Sequence, residues 1–269
     1  MADPAKDHAA WQRIEQLVRE RTRLRITERN RDLLQRLVRR RIGELDLSLT
    51  AYVERLQAST PESGEFEHVT RELTVGETYF FRGPQLEDIR AHLLPLLVSR
   101  RREDGLLGLR LLSAGCATGE EAYTLVMMLS EMLEDFSSWQ IDVIGLDINT
   151  AFLRAAEEAS YSDWSLRDVA PATVARHFVR RDDRYHVRPE LGAKVRFCYA
   201  NLALDPLPAP ALGVLAMDLV VCQNVLYYFD QEARLEVAEK LARCLAPDGY
   251  LVFGPADLLG EDIPLCKAR

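Results

Sequence analysis

The sequence predicts an α/β protein in which a doubly wound parallel sheet follows an all-helical head. Two observations carry that class. From about residue 109 onward, short apolar runs alternate with amphipathic helical stretches, the pattern of successive βαβ units. Over the first eighty residues, apolar positions recur only at helical spacing and no strand signal occurs. A third observation refines the picture: the alternation breaks over residues 161–192, which reads as an insertion in the sheet-forming part. The expected organisation is a helical domain and linker over 1–82, then a sheet domain over 83–269 with the insertion at about 161–192. A chain of 269 residues suits one α/β domain with an appendage.

In the head, Ile14, Leu17 and Val18 recur at helical spacing, as do Leu33, Leu34, Leu37 and Val38. Thr27 stands where an N-cap belongs, ahead of Glu28, and Gly43 is the expected stop of that second helix. Further helices are predicted over 49–57 and 66–73, with TPESG (60–64) as the turn between them. Residues 84–99 form one amphipathic helix in this reading. Strands follow at 109–115, 141–147, 194–200, 217–224 and 249–255, and helices at 120–133, 150–159 and 231–244. Within the insertion, a short helix is expected at 171–178 and a hairpin around Asp182-Asp183.

Composition excludes several classes. The chain is 48% hydrophobic and 28% charged, which fits a folded globular protein. Five scattered cysteines without a CxxC pair argue against a disulfide framework and a zinc site, and favour a reducing compartment. No secretory leader and no apolar run of membrane-spanning length occur, so a cytoplasmic protein without membrane insertion is expected. A net charge of −8 makes bulk nucleic-acid binding unexpected. That average hides a split. Residues 11–41 hold eleven Arg against four acidic residues, a local +7, whereas residues 42–269 sum to −14.

The most informative local signal is SAGCATGEE (113–121), which follows an apolar strand and opens a helix. Gly115 and Gly119 allow a tight turn and close approach of backbone to a ligand. Two carboxylates, Glu120 and Glu121, follow at once. They would repel a pyrophosphate but suit a ligand bearing a cation, such as the ammonium and sulfonium of S-adenosylmethionine (SAM). Asp147 ends the next strand, where an acidic side chain can accept both ribose hydroxyls. Plain glycine punctuation and a dinucleotide site are the competing readings of this motif. Asn201 and Gln223-Asn224 end the following strands, and polar residues at strand carboxyl ends line the crevice of open α/β sheets. TVGETYFFR (74–82) joins head to body. Its aromatic residues serve either as packing or as a lid over a cofactor.

ETYFFR (77–82), SAGCATGEEAYTL (113–125), GLDINTAFLRAA (145–156), DLVVCQNVLYYFD (218–230) and LAPDGYLVFG (245–254) resemble, in order and spacing, the chemotaxis receptor methyltransferase (CheR) family. The resemblance runs from the helical head to about Gly254. It implies an N-terminal all-α domain, a Rossmann-like SAM-dependent methyltransferase domain and a small inserted β-subdomain. It also implies methyl transfer from SAM to glutamate side chains of chemoreceptors, leaving S-adenosylhomocysteine. By position, it puts Gly76, Thr78, Arg82, Gly115, one or both of Glu120 and Glu121, Asp147, Asn201, Leu202, Gln223 and Asn224 around the cofactor. Arg82 and Tyr228 become the pair that positions the substrate. Gln223 stands where family members often carry Arg. The 180–190 loop is short beside members that grip a receptor C-terminal pentapeptide, so that tether is not expected to be needed. The chain stops at Arg269, about where the family's last β-hairpin is completed, which implies a longer protein or a differently finished sheet edge.

A glutamate carboxylate is ionised at neutral pH and needs no general base, which fits histidines that all lie outside these motifs. The Arg-rich helices are expected to steer a monomeric enzyme toward the acidic cytoplasmic helical bundle of a chemoreceptor. A SAM methyltransferase for another protein or small acid, and a non-catalytic module binding SAM or S-adenosylhomocysteine, are the alternatives.

Overall fold

The computed structural model describes residues 4–60 and 64–258. The last stretch of the chain, where the closing hairpin would fall, lies outside the described residues.

Four helices open the chain: α1 (Pro4–Thr22), α2 (Glu28–Leu45), α3 (Leu49–Ala58) and α4 (Glu65–Leu73). Thr27 caps α2 as expected, in a reciprocal box: its hydroxyl accepts from the Asn30 amide while Asn30 Oδ1 accepts from the Thr27 amide. Gly43 does not stop the helix. It is a solvent-facing position inside α2, and the turn to left-handed backbone comes at Asp46 (φ 52°), whose amide bonds back to the Ile42 carbonyl. The four helices bury their own core, including Ile14, Leu17, Leu34, Val38, Tyr52, Leu56 and Phe66. Each such side chain contributes about 1.5–3 kcal/mol by leaving water. Glu65 is buried beneath that core and held bidentate by Arg41 at 2.8 and 2.9 Å, which lowers its pKa.

Residues 83–103 are helical but not one regular helix. A π-turn (Ile89–Leu93) separates α5 (Gly83–Asp88) from α6 (Leu94–Glu103). Pro95 explains the break: it donates no amide and its ring collides with the carbonyl four residues earlier, so the chain widens to a turn in which Leu94 bonds to Ile89.

The sheet is built from β1 (Gly108–Ala114) and β2 (Gln140–Asp147), with α7 (Glu120–Met132) between them. After α8 (Thr150–Glu158), a separate antiparallel sheet forms from β3 (Ser160–Tyr161), β4 (Phe178–Arg181) and β5 (Arg184–Val187). The chain turns through Asp182-Asp183 between β4 and β5, and carries α9 (Pro171–His177) before them and α10 (Pro189–Gly192) after. The main sheet resumes with β6 (Val195–Tyr199), β7 (Met217–Cys222), α11 (Gln231–Arg243) and β8 (Leu245–Phe253). Its strand order is β6-β2-β1-β7-β8, and every pair is parallel. Winding therefore reverses between β1 and β7, and the crevice of such a sheet opens at the carboxyl ends of those two strands.

The head is bonded to this crevice. Leu24 pairs with Phe229 in an isolated bridge, and the Arg25 amide donates to the Tyr228 carbonyl at 2.8 Å. Asn149 Nδ2 reaches Thr74 Oγ1, and Thr150 reaches Glu67. Phe80 is fully buried, edge-on to Tyr161 (4.8 Å) and Phe178 (4.9 Å), and so fastens the linker to the inserted sheet.

Candidate active site

Two adjoining cavities occupy the switch point. The larger, about 500 Å³, lies between the linker, the turn after β1 and the loop after β7. The smaller, about 90 Å³, runs from the head toward the ends of β2 and β6. Gly115, Ala117, Asn224 and Tyr228 border both.

The turn after β1 is shaped for close approach. Gly115 sits at φ +78°, and a Cβ there would fall 2.4 Å from Val225 Cγ2. Gly76 is equally confined from the other side, with the Phe152 ring 2.6 Å from a virtual Cβ. The two positions keep the cavity walls thin.

The structure separates the two glutamates of the turn. Glu121 borders the larger cavity. Its Oε1 accepts from the Ser113 hydroxyl at 2.7 Å and its Oε2 from Gln223 Nε2 at 3.0 Å. Burial pushes its pKa up to about 7, against the pull of those two donors. Glu120 turns away: it borders neither cavity, and its oxygens accept from Thr118 (2.6 Å) and Ser165 (3.1 Å). Of the pair, only Glu121 is placed to meet a ligand.

Asp147 borders the smaller cavity. One oxygen accepts from the Asn149 amide (2.8 Å) and the other from the Ala117 amide (2.9 Å), so the carboxylate links the turn after β1 to the loop after β2. Burial raises its pKa while these amides oppose the rise. Asn201 and Leu202 border the same cavity, but the Asn201 side chain is already used. Its amide nitrogen donates to the Arg21 carbonyl (2.8 Å) and its oxygen accepts from the amides of Ala203 and Leu204, so it binds head to body.

Gly76, Thr78, Arg82, Gln223, Asn224 and Tyr228 all border the larger cavity. Arg82 donates to the Glu77 carbonyl, lies over the Tyr79 ring at 5.4 Å, and forms no ion pair among the described residues. Tyr228 packs against Tyr227 with ring centroids 4.1 Å apart, and burial raises its pKa.

A family model described as "CheR methyltransferase, SAM binding domain" matches residues 76–266, and one described as "CheR methyltransferase, all-alpha domain" matches residues 9–74. The chain belongs to the CheR methyltransferase family. A chemotaxis protein methyltransferase of Escherichia coli is 31% identical over 259 residues, 94% of this chain and 85% of that protein. Chemotaxis protein methyltransferase 2 of Vibrio cholerae is 34% identical over 209 residues, 77% of this chain and 69% of that protein. A probable biofilm formation methyltransferase, WspC of Pseudomonas aeruginosa, is 34% identical over 250 residues. That match takes in 91% of this chain and 56% of WspC, so the chain spans little more than half of that relative.

The cofactor of this CheR-family chain is SAM, and the residues present fit it. The glycine-lined turn admits a ligand against backbone, and buried carboxylates border both cavities, suiting a cation at one end and a ribose at the other. Two contributors escaped the sequence reading. Asp257 is fully buried and accepts from the amides of Asn224 (2.6 Å), Val225 (2.9 Å), Leu226 (2.8 Å) and Gly254 (3.1 Å), so it fastens the loop that presents Gln223 and Asn224. Arg25 reaches the larger cavity from the head. Asp257 lies 34 residues beyond Gln223, and Arg25 sits in a run of many arginines, so neither stood out in the linear sequence.

Proposed function

We propose that this CheR-family chain is a protein-glutamate O-methyltransferase that esterifies glutamate side chains on the cytoplasmic helices of chemoreceptors. The observation that carries the reading is that Arg82 and Tyr228 both border the larger cavity, to which the described residues contribute no histidine. A guanidinium without an ion-pair partner and a phenol can orient a carboxylate, which is nucleophilic without a base.

SAM, when bound, supplies an electrophilic methyl on a sulfonium. Its ammonium is assigned to Glu121 with Gln223, its ribose to Asp147, and its adenine to the apolar smaller cavity near Leu202. Gly76, Thr78, Gly115, Asn201 and Asn224 shape the walls. Arg82 holds one oxygen of the target carboxylate by a charge-assisted bond, and Tyr228 sets its angle. Too strong a pairing would blunt the nucleophile, so their work is alignment and exclusion of water. The proposal keeps 1–82 as head and linker and 83–269 as catalytic domain, with 161–192 as its insertion.

The head supports an acidic partner. Arg13, Arg31, Arg40 and Arg41 are spent on internal ion pairs. Arg29 and Arg36, two turns apart on α2, are exposed and have no carboxylate partner among the described residues. They would steer an acidic helical bundle toward a monomeric, cytoplasmic enzyme, with no pentapeptide tether. Among the described residues no helix is long and apolar enough to cross a membrane.

The test is incubation with labelled SAM and receptor cytoplasmic fragments. Alkali-labile label released as methanol is expected; a stable label would refute ester formation. Label on neither the fragments nor another protein, with SAM binding intact, would favour a regulatory module instead.

A further inference from the structure

Beside the larger cavity, four side chains from the linker and the inserted segment stack in series. Arg82 lies over one side of the Tyr79 environment, 5.4 Å from the ring centroid. The Arg167 guanidinium sits 3.7 Å from the Tyr79 centroid and 4.0 Å from that of Trp164. Distances this short place Arg167 in true cation–π contact with two rings, which stiffens a side chain that would otherwise be free in solvent. Its remaining bond, to the Trp164 carbonyl, closes the same small unit. Arg167 is exposed and forms no ion pair among the described residues, its charge acting only at longer range on Glu120, and Trp164 is 64% exposed, the most exposed large apolar side chain described.

An exposed Trp held by an Arg is costly to leave in water, and Trp, Tyr and Arg are the residue types that dominate binding interfaces. The shelf leads from solvent to Arg82, and so to the place where the target carboxylate is aligned. We infer that the Trp164–Arg167–Tyr79 shelf docks the acidic helical segment that carries the methylated glutamate, with Arg167 meeting an acidic residue beside the target and Trp164 covering an apolar one. This rests on the function proposed above. It is a surface separate from the arginines of α2, which act on approach; the shelf acts on the docked complex. The charge pattern commits the occupant: a rigid guanidinium next to an apolar face suits an amphipathic acidic helix, and would repel a basic one.

The experiment compares wild type with Trp164→Ala, Arg167→Glu and Arg167→Gln, measuring methyl transfer to a tryptophan-free receptor cytoplasmic fragment and SAM affinity by calorimetry. Arg167→Glu should raise KM for the fragment about tenfold, and Trp164→Ala about fivefold or more. SAM affinity should stay within about twofold, since neither residue borders the cavities. Arg167→Gln keeps the side chain's bulk and should fall between wild type and Arg167→Glu. Changing the acidic residues flanking the target glutamate to Lys should depress wild type and restore Arg167→Glu, an exchange that a purely structural role would not produce. Fragment addition should also shift tryptophan emission; Trp139 is buried at 1% exposure, and Trp164→Phe, which leaves the part-buried Trp11 in the head, should remove the response. KM values for all three variants within twofold of wild type would overturn the shelf. If wild type itself forms no alkali-labile ester on the fragment, the functional reading fails instead, and the two failures are distinct.

Discussion

Raising the pH from 6 to 7.5 should tighten SAM binding while it weakens the unliganded fold, and Glu121 drives both changes. The carboxyl is buried, its two donors are the neutral Ser113 and Gln223, and its pKa is pushed from 4.5 to about 7. Arg82 pulls it down from across the cavity and Asp257 pushes it up. A cationic ammonium needs the ionised form, whose population rises from about 9% at pH 6 to about 76% at pH 7.5, so Kd should fall about eightfold. Stability has the opposite sign. Between pH 4.5 and about 7 the unfolded chain has released a proton that the folded chain still holds, so stability conferred by this group is full below 4.5 and declines as pH rises through 7. The loss is at most about 3–4 kcal/mol, from 1.36 kcal/mol per pH unit over that window of about 2.5 pH units. Calorimetry across pH 6–7.5 and denaturant melts across pH 4.5–7.5 measure the two trends. Glu121→Gln should flatten both, and Gln223→Arg should move the binding transition to lower pH by giving the carboxylate a charged partner. A SAM affinity flat from pH 6 to 7.5 in the wild type, or the same slope in Glu121→Gln, would refute the assignment of the ammonium to Glu121.

The remaining predictions concern alignment, cavity shape and loop support. Arg82→Ala should cost roughly 2–4 kcal/mol in kcat/KM for receptor, the range for one charged positioning contact, and activity within twofold of wild type would remove Arg82 from that role. Gly115→Ala must force a Cβ into Val225 at φ +78°, so SAM binding should be lost by calorimetry even where circular dichroism shows a folded chain. Asp257→Ala leaves the amides of Asn224, Val225 and Leu226 without an acceptor, while that of Gly254 keeps the Cys222 carbonyl, and should lower stability by about 3 kcal/mol or more in denaturant melts; Asp257→Asn, which keeps one oxygen, should lose less. If the free arginines of α2 steer the receptor, kcat/KM should fall steeply between low and physiological salt while Kd for SAM barely moves; a flat response would reject steering.

The sheet was legible because its signals are local. Apolar runs such as LRLLSAG and DLVVC, each bounded by glycine or polar residues, announce buried parallel strands, and their spacing leaves room for one crossover helix each. The capping box at Thr27 was half visible, since the residue that closes it is Asn30 and not a glutamate. Gly43 misled because a glycine ends a helix only where left-handed backbone is needed, and here that need falls on Asp46. Pro95 was readable as a helix breaker, yet the chain stays helical through a π-turn, and α6 still buries Leu94, Leu97 and Val98 in the core shared with the sheet.

The candidate site shows the same division more sharply. Sequence by itself narrowed the class of the ligand: glycines at 115 and 119, acidic residues after them and an acid at the end of β2 suit a cationic ligand with a ribose, and the resemblance to the CheR family singled out SAM over a dinucleotide. Which glutamate faces the cavity was beyond it, because successive residues at the start of a helix point about 100° apart and only the packing of α7 against Ser113, Ser165 and Gln223 says which direction is inward. Tertiary structure alone decided that Asn201 is spent on the head, that Asp257 supports the loop after β7, that Arg25 borders the larger cavity, and that Arg167 stacks on Tyr79. Those placements depend on contacts between residues tens to hundreds of positions apart, where directional hydrogen bonds and charge act over a few ångströms and leave no periodic trace in the chain.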